Sequence, residues 1–108
     1  MRPQVTADIT SQTESPWLFP DFEISSFSLG LAVEIDSGSN LTAKVEYTLV
    51  NPKDGTPTAE QIFDDATLVS LTASAAGSQT TPVYGVRLNV TAYTTGTARL
   101  RLLQGGRS

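Results

Sequence analysis

Asp64 and Asp65 are the one adjacent pair of carboxylates in this 108-residue chain. Two neighbouring carboxyl groups can ligate Ca²⁺ or share acid/base work on a glycosidic bond. The ligand spacing of a calcium loop is missing here, and a solvated turn or a strand-end charge accounts for the pair more simply. The chain has no histidine, which removes the commonest general base, metal ligand and pH switch together. It has no cysteine, so thiolate chemistry, thiolate metal sites and disulfides are excluded. Serine and threonine are abundant, but without histidine no conventional nucleophilic triad can be assembled. Neither a phosphate-cradling glycine loop nor a nucleophile elbow is present. No catalytic residue, cofactor or metal is therefore expected, and the chain reads as a non-enzymatic protein.

What remains is binding chemistry. The formal net charge is −4, which disfavours nucleic acid and anionic membrane as partners. The charge is unevenly distributed. Residues 1–36 hold Asp8, Glu14, Asp21, Glu23, Glu34 and Asp36 against Arg2 alone, while residues 87–108 hold four arginines and no acid. Three of these, Arg87, Arg99 and Arg101, form a basic stripe. It reads either as an ordinary solvated face or as a contact for acidic surface on another copy or another protein. A second candidate is "SPWLFPDF", residues 15–22, which gathers Trp17, Phe19 and Phe22 around two prolines. These aromatics would anchor in a neighbouring subunit, or close one end of the domain over its own core. The interface candidates are thus Trp17, Phe19, Phe22, Arg87, Arg99 and Arg101. Asn40-Leu41-Thr42 and Asn89-Val90-Thr91 fit the glycosylation pattern. With no apolar leader in "MRPQVTADIT", both are read as loop and strand residues.

These groups must be positioned by strands, because no segment has a helical period. "FSLGLAVEI" puts Leu29, Leu31, Val33 and Ile35 on one face, and "LTAKVEYTLV" does the same with Leu41, Ala43, Val45, Tyr47 and Leu49. The intervening "DSGSN" predicts a hairpin that pairs Ile35 with Leu41. "YGVRLNVTAYTTGTARLRLLQGG" predicts a second hairpin around Thr94-Thr95-Gly96, pairing Val90 with Leu100 and putting the three arginines on one face. Two prolines exclude a central strand from residues 51–63. A short strand or edge segment is expected near residues 68–71, a polar loop over 74–82 and an edge strand within 4–11. The fold class is all-β: a single antiparallel β-sandwich, jelly-roll or immunoglobulin-like, over residues 27–108, preceded by an arm or edge strand over residues 1–26.

"FSLGLAVEIDSGSNLTAKVEYTLVNP" and "PVYGVRLNVTAYTTGTARLRLLQGG" together resemble a group of small β-rich virion proteins of tailed bacteriophages. The resemblance covers residues 27–52 and 82–106. It implies a structural role with no catalytic residues: a capsid decoration (cement) protein bound to the major capsid protein, or a neck, tail or fibre component. It also implies a homo-oligomer, a trimer by preference, located in the virion after synthesis in the host bacterial cytoplasm. A carbohydrate-binding sandwich, with Trp17 and Tyr84 or Tyr93 as stacking platforms, is the alternative from a different class.

Overall fold

Leu29, Leu31 and Val33 are buried, and the intervening Gly30, Ala32 and Glu34 face outward, as period-two alternation dictates. The structure is a computed structural model that describes residues 4–20, 25–80 and 82–107. Its strands are β1 (Gln4–Val5), β2 (Ser25–Ile35), β3 (Asn40–Thr48), β4 (Ile62–Asp64), β5 (Ala75–Gln79), β6 (Gly85–Thr95) and β7 (Ala98–Arg107). Two antiparallel sheets, ordered β1-β7-β2-β5 and β4-β3-β6, form a small β-sandwich. Its core is built from Leu29, Leu31 and Val33 of β2, Leu41, Ala43 and Val45 of β3, Val86, Leu88 and Val90 of β6, and Ala98, Leu100 and Leu102 of β7.

The two expected hairpins do not form. β2 lies between β7 and β5, whereas β3 lies between β6 and β4, so residues 36–39 cross from one sheet to the other. Residues 96–97 make the same crossing between β6 and β7. In place of Ile35–Leu41 and Val90–Leu100, the registers pair Val33 with Leu100 and Ala43 with Val90. The reason is that a hairpin of two such strands still leaves its apolar face to be covered by something else. Turned face to face across the core, the two strands cover each other, and their backbone groups pair with the neighbouring arch instead.

The whole sandwich follows this plan. After β1, Ile9 bridges Ala98 on β7, and the chain then crosses so that Glu14 and Leu18 bridge Asn89 and Val86 on β6. Residues 4–18 therefore edge both sheets. At the other side, residues beyond β4 continue along β3: Val45 N donates to Leu68 O at 2.8 Å, and Leu71 bridges Ala43. Four arches stack side by side, and their crossings bond to one another. Asp36 N donates to Thr97 O at 3.0 Å, Thr97 N donates to Ser39 Oγ at 3.1 Å, and Ile35 N donates to Ser74 Oγ at 2.9 Å.

Other departures are local. The segment read as a polar loop contains β5, whose alanines, glycine and serine carry no strand propensity. Ladder bonds to β2 hold it extended. β3 ends at Thr48, leaving Leu49 half exposed rather than inward. Short 3₁₀ turns occupy Pro52–Asp54 and Ala59–Gln61.

Candidate functional site

The stacking order decides where the charges go. β6 and β7 belong to different sheets, so Arg87 lies on the outer face of one sheet and Arg99 and Arg101 on the outer face of the other. The single basic stripe does not exist. Each arginine meets acids of its own chain. Glu34 is the register partner of Arg99, and Glu46 of Arg87. Arg99 Nε, Nη1 and Nη2 reach Asp8, Glu34 and Asp36 at 2.9, 3.0 and 3.2 Å, while Arg101 binds the other oxygen of Glu34. The acid-rich first third and the basic last quarter thus neutralise each other across strand pairs, which helps to fix register.

Arg101 and then Arg99, by hydrogen bonding to it, hold the Glu34 carboxyl below its ordinary value of 4.5. A depressed folded pKa contributes stability that is complete above the unfolded value and lost as the pH falls through the folded one. The melting temperature of the wild type should therefore fall as the pH drops below about 4.5. Glu34→Gln should flatten that acid limb while leaving the neutral melting temperature only slightly lower, because the site is solvent-screened. Parallel acid limbs in thermal melts of the two proteins would refute this role for Glu34.

On the other sheet, Glu46 is buried under a charge network. Arg87 Nε donates to Glu46 Oε1 at 2.8 Å, Asn89 Nδ2 to Oε2 at 3.3 Å, and Lys44 Nζ lies 3.4 Å from Oε2 and 3.0 Å from Asp64. Arg87 also reaches Glu14 at 2.9 Å. A hollow of about 540 Å³ borders this network. Its carboxylates are tied to cations rather than facing each other across open space, as glycoside chemistry requires. The adjacent pair splits in the same spirit. Asp64 joins Lys44, while the buried Asp65 accepts bonds from Thr67 N, Thr67 Oγ1 and Leu68 N at 2.9–3.0 Å and so caps its own turn. Among the described residues, no group of carboxylates is arranged to hold a metal ion.

Trp17 packs on the outer face of β6, on the side that carries Arg87, and neither it nor Phe19 joins the core cluster, which takes Leu18 instead. Trp17 is half-buried, with the Arg87 guanidinium 4.5 Å from its ring centre; Phe19 carries Lys53 Nζ at 4.7 Å. A Cβ at Gly85 would come within 3.2 Å of Trp17, so the indole lies directly on β6. Phe22 lies outside the described residues.

One surface was missed by sequence reasoning. On the outer face of the first sheet, Val5 and Leu103 are 47 % and 62 % exposed. Beside them runs a groove of about 520 Å³ that extends over β2 and β5, floored by Gly30, Ala32 and Ala76 and edged by Val5, Arg101 and Leu103. The registers create it, by aligning Gly30 with Leu103 and Ser78, and Ala32 with Arg101 and Ala76. Small residues at alternate positions of β2 were its only sequence signal, and they read as the dull side of a strand.

No family model matches the chain. No curated protein matches it either. Among solved structures, it is similar to a chain from the disulfide-linked pili formed by Bacillus endospore appendages, at 14 % identity and a TM-score of 0.44, over 99 % of this chain and 88 % of that one. It is also similar to IMPa from Pseudomonas aeruginosa, solved in complex with an O-glycopeptide, at 13 % identity and a TM-score of 0.45. That likeness covers 98 % of this chain and 13 % of the other, so the chain corresponds to a small part of IMPa.

Proposed function

We propose that this protein is a non-enzymatic structural component of a bacteriophage virion, a decoration protein that docks on the major capsid protein and reinforces the shell. The observation that carries the reading is the apolar groove over β2 and β5, edged by Val5 and Leu103. The neighbouring charges are spent inside the chain, so what this face offers a partner is apolar area on a rigid sheet. The resemblance of residues 27–52 and 82–106 to small virion proteins supports the setting. On a lattice, one such modest contact suffices, because neighbouring contacts raise its effective concentration. A sugar-stacking role is less favoured, since Arg87 already lies over the Trp17 ring.

The test is the copy number of the chain in purified particles, by quantitative mass spectrometry against the shell protein. A number comparable to the shell protein is expected, and Leu103→Asp should reduce it severalfold without unfolding the chain, since the position is exposed. A handful of copies would transfer the protein to the neck, tail or fibre. Absence from particles would overturn the virion reading.

A further inference from the structure

A sheet edge is an open row of hydrogen-bonding groups unless something blunts it. Three edges of this sandwich are blunted. β1 is two residues long; the segment that edges the second sheet carries Glu14 and Pro16; and β4 is three residues long and ends in Asp64, ahead of the turn capped by Asp65. The fourth edge is different. Among the described residues β5 has a ladder partner on one side only, β2. Over Ala75, Ala76, Gly77 and Ser78 it carries no charge, no proline and no bulge.

We propose that β5 is a self-pairing edge, where a second copy of this chain adds its own β5 antiparallel across a two-fold axis. The strand is complementary to itself. With Gly77 facing Gly77 of the other copy, Ala76 faces Ser78 and Ala75 faces Gln79, so no two bulky or like-charged groups meet. This matters for a chain of net charge −4, because two copies repel except where the contact is uncharged. Ala76 also floors the apolar groove, so pairing would join the two first sheets and bring their grooves side by side. The contact is isologous and closes at two copies, unlike the three-fold arrangement implied by the family resemblance. A five-residue edge is small for an interface, which sets a weak, concentration-dependent dimer.

Sedimentation equilibrium of the purified chain tests this independently of the virion reading, which is tested in particles. At roughly 100 µM, above the micromolar dissociation constants open to a modest interface, the wild type should approach twice its monomer mass of 11.5 kDa. Ala76→Lys/Ser78→Lys would set two like-charged pairs directly opposite each other at the axis. Both positions are exposed, so this variant should keep its far-UV circular dichroism and remain at the monomer mass. Hydrogen exchange of the wild type gives a second readout that needs no variant: the amides of residues 75–78 should slow severalfold between dilute and concentrated protein. A monomeric wild type, a dimer indifferent to the two lysines, or concentration-independent exchange in β5 would each overturn the proposal.

Discussion

Gly96→Ala is expected to destabilise the protein by about 3–5 kcal/mol, the sum of backbone strain and overpacking. At this chain length that lowers the melting temperature by on the order of 20 °C. Gly96 has φ +112°, outside the range an L side chain readily adopts. A Cβ there would also sit 2.1 Å from Ser39 Oγ, 2.3 Å from Ser39 Cβ and 2.6 Å from Ser39 Cα. The last is backbone and cannot rotate away. Gly38 provides the control, with φ +84° but nothing within 4 Å of its missing Cβ, so Gly38→Ala should cost only about 1 kcal/mol of local strain. Ser39→Gly in the Gly96→Ala background should restore part of the loss by removing two of the three clashes. In a pair of independent hairpins, residues 39 and 96 would belong to separate turns and their substitutions would be additive. Thermal melts showing equal losses for the two alanine variants, or strict additivity with Ser39→Gly, would contradict the packing of one crossing on the other.

That coupling marks where sequence reasoning stops. Strand positions and inward residues were legible because alternation is local: Leu29, Leu31, Val33, Val45, Leu88 and Leu100 are buried as read. Partnership was not legible. A hairpin and an arch of the same two strands present the same residues to the core, and Gly-containing connections serve both. The distinction lies in which strand completes the ladder, and that is settled by packing among segments far apart in sequence. β5 was invisible for a related reason: its residues have no preference for an extended backbone, and only β2 beside it makes them a strand.

The charged residues teach a similar lesson. The unequal distribution of acids and arginines was plain in the sequence, and it does mark contacts. Those contacts are within one chain, because the acidic N-terminal segment and β2 flank β7, and β3 flanks β6. Once hairpins were assumed, Arg87, Arg99 and Arg101 had to share a face. Once the strands are assigned to their sheets, each finds an acid at its own register position or beside it. The apolar groove lay beyond such reasoning, since Val5, Gly30, Ala76 and Leu103 come together only through strand order.

The Arg87–Glu46 pair then separates a structural arginine from one held ready for a partner. The Glu46 side chain is 7 % exposed and that of Arg87 15 %. Arg87→Met should cost about 2–3 kcal/mol, below the 3–5 of a fully orphaned buried charge, because Lys44 and Asn89 still reach Glu46. Glu46→Gln should cost nearer 1 kcal/mol, since Arg87 keeps Glu14 and its place over Trp17. The double replacement Arg87→Met/Glu46→Met should be less damaging than Arg87→Met alone, because it removes both desolvated charges and leaves apolar volume in their place. Urea unfolding of the wild type, Arg87→Met, Glu46→Met and the double replacement supplies the cycle, with a coupling of at least about 1 kcal/mol expected. Negligible coupling, with Arg87→Met neutral, would mean that the fold does not need this arginine. Its conformation against Glu46 would then be a resting position, and Arg87 would be free to meet a partner on the outer face of the second sheet.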